Sequence, residues 1–405
     1  MPRVVLVTGK GGVGKTTTAA ATAVGAARRG LKTLVVSTDA AHSLGDALDV
    51  DLRTAATWRD THEVEPGLHA LAVGAHTAVE ADWEVVRAYL LGVLDAMGVD
   101  AVVADELTSL PGAEEVAALA ALAHQADEGG WDLVVVDCAP TAETLRLLAL
   151  PEVLGWHLDR LLPAQRRLLT VLRPAASAAA GIPTPGPEVV GVLRAWRDLM
   201  TGVRTLLTSP RASVRLVLTP ERVVIAESRR VLTSLSLHGY AVDGVVVNRL
   251  LPPAPADDPW RAAWEVAQAS GLEQVRESFL GIPLMTAPYL AGEPIGPDAL
   301  AALAAATVPD TGDAPDLLDD VATPRTRVEA DGADFVLTLP LPLVTAGQVH
   351  LARRDDDLVI EVGDQRRVVT LPSVLRRCVV QNAAVGSGEL RVRFERDEEQ
   401  WASGR

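Results

Sequence analysis

Residues 9–18 read GKGGVGKTTT and hold two of the chain's three lysines, although 34 of its 37 basic residues are arginine. Arginine carries the same charge, so charge alone does not explain the choice. A compact ammonium on a flexible stem enters a tight anion site that a planar guanidinium does not. The spacing Gly9-x4-Gly14-Lys15-Thr16, after a strand-like run and opening a helix, is that of a phosphate cradle. Backbone N–H groups of Gly11, Gly12, Val13 and Gly14, and of the helix start at Lys15, Thr16 and Thr17, would face a polyphosphate. Lys15 would reach the β- and γ-phosphates, and the Thr16 hydroxyl would ligate Mg2+. Lys10 is surplus to that cradle. Its remaining chemical use is to reach across a subunit interface to a neighbour's nucleotide, as an arginine finger supplied in trans does.

The elements that must position these groups follow from pattern. RVVLVT (3–8), an Ala-rich helical stretch over 15–29 and TLVVS (33–37) make a βαβ unit. Further buried strands are expected at LHALAV (68–73), DLVVVD (132–137), VRLVLT (214–219), GVVVN (244–248) and IPLM (282–285), separated by helical patterns. This predicts an α/β fold over 1–306, with a mostly parallel sheet and helices on both faces. An insertion at about 151–208 is too long for a plain connection and is expected to be a helical subdomain or lid. Within it, VLGWHLDRLLPAQRRLLTVL (153–172) places leucines at helical spacing, as a core stripe or an apolar groove would. Residues 307–325, with five aspartates and three prolines, read as a linker. Beyond them the period switches to two, so 326–396 is expected to be a small all-β domain.

Composition excludes several classes. A net charge of −16 and a pI near 5.0 disfavour a nucleic-acid partner. Cys138 and Cys378 stand far apart, which rules out a disulfide framework and thiolate-rich metal sites and suits a reducing compartment. No leader-like segment or long apolar span is evident, so a cytoplasmic protein without an integral membrane segment is expected. His62, His69 and His76 recur at even spacing, but Pro66–Gly67 would break any helix joining them. They read as loop and surface histidines.

KGGVGKTT resembles the deviant Walker A signature of the ArsA, MinD, ParA and nitrogenase-reductase ATPases, which work as nucleotide-sandwich dimers. STDAAHSLGDAL (37–48) and DCAPTAETLRLL (137–148) are similar to the two switch segments of the ArsA and tail-anchored-protein-targeting ATPases. PGAEE (111–115) and VVVNRLL (245–251) resemble two further elements of that family, the second being the strand whose Asn holds adenine. The resemblance implies an ATP-hydrolysing, Mg2+-dependent homodimer whose Lys10 serves the partner's site, with an apolar protein client. Asp39 would orient the attacking water or a Mg2+-bound water, although such an Asp also caps helices. Asp137 would make a second-shell Mg2+ contact. Asn248 offers the donor and acceptor that an adenine edge requires, although it could equally form a turn. Ala40, Ala142 and Glu143 depart from the family's switch residues, which bears on how nucleotide state is relayed. A metalloid efflux ATPase needs clustered thiols, and a ParA- or MinD-like positioning ATPase needs a basic patch or an amphipathic membrane helix. Neither feature is evident.

Ala384, Gly388, Leu390 and Val392 in NAAVGSGELRVRF (382–394) follow the spacing A-x3-G-x-L-x-V. That is similar to the signature of the α-crystallin, or small heat-shock protein, sandwich, and VVTLP (368–372) resembles one of its strands. Gly388 is expected at positive φ, with Leu390, Val392 and Phe394 alternating onto a core. The domain is expected to fold autonomously.

Overall fold

The computed structural model describes residues 1–38, 43–52, 60–73, 78–96, 113–139, 141, 144–152, 186–253, 258–311, 313, 315–324, 326–332 and 334–397. The chain divides into two compact units. Residues 1–8, 15–207 and 292–305 form the first, and residues 9–14, 208–291 and 306–405 the second. The expected insertion stripe at 153–172 lies outside the described residues.

The first unit runs β1 (Arg3–Thr8), α1 (Lys15–Ala27), β2 (Thr33–Ser37), α2 (Ser43–Leu48), β3 (His62–Glu65), β4 (Leu68–Ala72), α3 (Ala78–Ala96), α4 (Ala113–Glu128), β5 (Leu133–Asp137) and α5 (Pro187–Leu207). Its strands lie in the order β3-β4-β2-β5-β1, parallel except for β3. Every residue of β1, β2 and β5 is buried, as strands covered on both faces require. The alanines of α1 let it lie close on this sheet, with Ala19, Ala20, Ala23 and Ala26 fully buried. Asp137 stands in register with Val7 of β1 and Ser37 of β2. The segments following β1, β2 and β5 therefore leave neighbouring C-terminal strand ends, the side on which open α/β sheets take ligands.

One feature of this unit differs from the sequence expectation. His69 lies on β4, within the strand expected at 68–73, but His62 lies on β3, so the segment before β4 is the first arm of an antiparallel hairpin turning at Pro66–Gly67, with Gly67 at φ 84°. HEVE has no apolar alternation because β3 is a polar edge strand. His69 packs on Trp131 at 5.0 Å, with its Nδ1 3.1 Å from Thr61 Oγ1. Burial lowers its pKa. His76 lies outside the described residues. The third lysine, Lys32, sits just before β2: its Nζ donates to Gly129 O at 3.2 Å and stands 4.5 Å over the Trp131 ring.

The second unit takes the glycine loop at 9–14, then β6 (Ala212–Leu218), α6 (Arg222–His238), β7 (Val242–Leu250), α7 (Pro259–Ser278) and β8 (Leu284–Pro288). Strands β6, β7 and β8 are parallel. After α8 (Pro297–Ala306), β9 (Val308–Thr311) pairs antiparallel with β8, inside the stretch read as a linker. A lone strand edge needs partners for its N–H and C=O groups, and β9 supplies them. Arg276 grips Asp310 through two bonds of 2.9 and 2.7 Å, and Val321 N–H donates to Pro210 O at 2.9 Å. The stretch is therefore fastened at Val308–Thr311 and again at Val321.

The C-terminal strands are β10 (Arg327–Asp331), β11 (Asp334–Pro340), β12 (Val349–Arg354), β13 (Asp357–Val362), β14 (Gln365–Thr370), β15 (Cys378–Gly386) and β16 (Glu389–Arg396). They form two antiparallel sheets, β10-β11-β16-β15 and β12-β13-β14. Gly388 has φ 75° in the β15–β16 turn, and Leu390, Val392 and Phe394 are buried, as the spacing predicts. The core is not closed by the domain alone. Leu237 of α6 is 1% exposed within it, alongside Leu337, Ile360 and Phe394. Thr233 Oγ1 donates to Pro342 O and Ser234 Oγ to Gln365 Oε1, both at 3.0 Å, and Arg367 donates to Leu237 O. The domain's core thus takes in Leu237 of α6, a contribution from outside the sandwich.

Candidate nucleotide site

Each unit holds its own set of candidate residues. In the first, Lys15 opens α1 and is buried, and Thr16 and Thr17 follow it, both half-buried. The Thr16 hydroxyl lies 3.4 Å from Ser43 Oγ at the start of α2. Asp137 ends β5 with no exposure. A buried carboxylate requires compensation by a cation or by donors. Around it, threonines at the ends of β1 and β2 and in the helical stretch after β5 tie the neighbouring segments together. Thr38 Oγ1 donates to Asp137 O and accepts from Ala139 N–H, Thr144 Oγ1 donates to Ala139 O at 2.6 Å, and Thr8 Oγ1 donates to Thr144 Oγ1 at 3.1 Å. Thr141 Oγ1 is buried and has no hydrogen-bond partner among the described residues. Asp39 and Ala40 of the first switch-like segment, and Ala142 and Glu143 of the second, lie outside the described residues. So do the first two residues of PGAEE.

In the second unit the glycine loop is held by close approach. A Cβ on Gly9 would stand 2.1 Å from Val217 O of β6, so any other residue would drive the loop off the strand. Gly14, at φ 93°, faces Asn248: a Cβ there would meet Asn248 Nδ2 at 2.4 Å. At Gly11 and Gly12 an added Cβ would meet nothing within 4 Å, so this side of the loop is open to a ligand. Asn248 is 6% exposed; its Nδ2 donates to Val13 O at 2.8 Å and its Oδ1 accepts from Arg249 N–H at 2.8 Å. The amide thus braces the loop against β7. Lys10 Nζ pairs with Glu227 Oε2 of α6 at 3.6 Å.

The donors present fit Mg2+ and a polyphosphate. An alcohol at a helix start and a carboxylate at a strand end are hard oxygen ligands, which Mg2+ prefers. The N-terminus of α1 and the glycine-loop amides suit anionic oxygens. Soft-metal chemistry has no comparable support. Cys138 is fully buried, and burial together with the Asp137 charge holds its thiol protonated. Cys378 is buried in the sandwich. Among the described residues no group of His, Cys, Asp and Glu is arranged to hold a metal by itself. No described helix is long and apolar enough to cross a membrane.

Some residues of interest were not singled out from sequence. Glu227 sits in an ordinary helical run, Thr8 and Thr38 look like plain strand ends, and Thr144 like an ordinary helix residue. A groove of about 640 Å³ beside β7 is lined by Val223, Arg249, Trp260, Trp264, Gln268 and Tyr289. Its sequence signal was WRAAW, two tryptophans four apart on α7 in a chain that is 3% aromatic. Arg249, at φ 60°, lies within β7 where its register with β8 shifts between Val247 and Leu250, in a conformation uncommon for a non-glycine residue.

Comparison with known proteins agrees with this geometry. Residues 2–308 match the family described as anion-transporting ATPase, and residues 332–394 match the HSP20-like domain found in ArsA. The chain is 38% identical over 404 residues to "Uncharacterized protein SCO2128" of Streptomyces coelicolor, covering all of both chains. It is 32% identical over 374 residues to the "Putative arsenical pump-driving ATPase" of Chlorobaculum tepidum, across 91% of this chain and 90% of that one. To "ATPase GET3B" of Arabidopsis thaliana it is 31% identical over 312 residues, across 72% and 75%. With the fold, the glycine loop and the HSP20-like sandwich all in place, the chain belongs to the ArsA ATPase family.

Proposed function

We propose that this ATPase works as a Mg2+-dependent homodimer in the cytoplasm and handles an apolar protein client. The loop open at Gly11 and Gly12 and braced by Asn248 is the observation that carries the nucleotide part of this reading. Bound Mg2+ would supply charge neutralisation at the phosphates, with Thr16 as its protein ligand, Asp137 behind it and Asp39 beside it. Lys15 binds the β- and γ-phosphates, and the loop amides from Gly11 to Thr17 orient them. Asp39 orients the attacking water. Asn248 keeps the loop in register with β7 and turns its remaining N–H and lone pair toward adenine. Lys10 reaches the partner's nucleotide. A protein client rather than a metalloid is favoured because Cys138 and Cys378 are both buried, one beside the loop-bearing sheet and one in the sandwich.

Lys15→Ala and Asp39→Asn test the site. The first is expected to abolish nucleotide binding, measured by fluorescent-nucleotide titration. The second is expected to bind ATP but lose turnover by about 10²-fold or more, the scale of one lost catalytic contact. Turnover at the wild-type rate in either variant overturns the assignment.

A further inference from the structure

We infer that Glu227 is a resting partner of Lys10, helping to hold the lysine within its own subunit until a second subunit's nucleotide takes it, and that the C-terminal sandwich fixes where Glu227 stands. This rests on the in-trans reading of Lys10. Lys10 Nζ and Glu227 Oε2 are 3.6 Å apart, with the two side chains 37% and 26% exposed. An ion pair so placed is weak enough to be exchanged for a phosphate, yet close enough to hold a long side chain in one direction. Glu227 is carried on α6, whose other end is fastened. Ten residues further along, about 15 Å at the helical rise, Leu237 is sealed into the sandwich core. Thr233 and Ser234 bond to Pro342 and Gln365 on the way. The helix is therefore a rigid strut with the sandwich at one end and the Glu227 carboxylate near the other. Glu227 acts as a positioning residue, setting how readily Lys10 leaves its own subunit.

The test measures the dimer dissociation constant of the full chain by sedimentation with a non-hydrolysable ATP analogue and Mg2+. Each dimer releases two such pairs, so Glu227→Gln should tighten the dimer by about two- to thirtyfold, the square of what one part-exposed pair contributes. Glu227→Asp, with its carboxylate drawn back, should tighten it less, and serves as the second variant should the glutamine protein melt early. In a Lys10→Ala background, Glu227→Gln should change nothing further. An unchanged or weaker Glu227→Gln dimer overturns the proposal, the weaker case placing the grip of Glu227 in the dimer rather than before it. An equal shift with and without Lys10 also overturns it. A Lys10→Ala protein that dimerises like wild type instead removes the in-trans reading itself.

Discussion

Asn248 and Lys10 show how far a residue's type can be read. Their chemistry follows from sequence, since an amide pairs in two directions and an ammonium seeks anions. Their distant partners do not, because Val13 O and Glu227 are contributed by segments that only the fold brings near. The same holds for Arg215 and Asp243, a buried pair on β6 and β7 with bonds of 3.2 and 2.9 Å, which local pattern does not announce. Cys138 and Cys378 were legible as isolated thiols, and burial makes them inert as well. Arsenite or antimonite is therefore expected not to stimulate the ATPase, since a soft metalloid wants two or three converging thiolates. A several-fold stimulation in a steady-state phosphate-release assay that persists in Cys138→Ser/Cys378→Ser would show that another ligand chemistry operates.

At the scale of elements, α6 belongs to two structures at once, so its substitutions should register in both. Leu237→Ala opens a cavity in the sandwich core and should destabilise the chain by about 2–5 kcal/mol. Chemical denaturation followed by circular dichroism checks this. A loss below about 0.5 kcal/mol would mean the sandwich stands without α6. Much of this level was readable. β1, β2 and β5 are continuous β-branched and apolar runs because both their faces are covered, and the sandwich strands alternate because only one face is. What escaped was short and polar. HEVE became β3 and VPDT became β9 because each completes the edge of a sheet, a tertiary demand with no local signature. Leu237 was equally hidden, since an apolar residue on a helix does not say which core receives it.

For the whole molecule, the decisive question is whether catalysis requires two chains. If Lys10 serves the partner, Lys10→Ala and Asp39→Asn proteins, each inactive alone, should recover activity when mixed. In the mixed dimer one site keeps its own Asp39 and receives Lys10 from the other chain. Phosphate release should rise toward an intermediate mixing ratio and fall on either side. A flat profile, with mixed dimers shown by native mass spectrometry, would end the in-trans role.

The three lysines also lend themselves to covalent chemistry. An acylating reagent that attacks amines meets Lys15 buried, at 8% exposure. Lys32 lies exposed just before β2, at the opposite end of that strand from Thr38. Lys10 lies between these extremes, on the glycine loop. The untouched protein thus carries a shielded amine, a reference amine and a reporting amine. The ratio of adducts at Lys10 and Lys32, read from peptide masses, would follow the loop through its cycle without a label being engineered in.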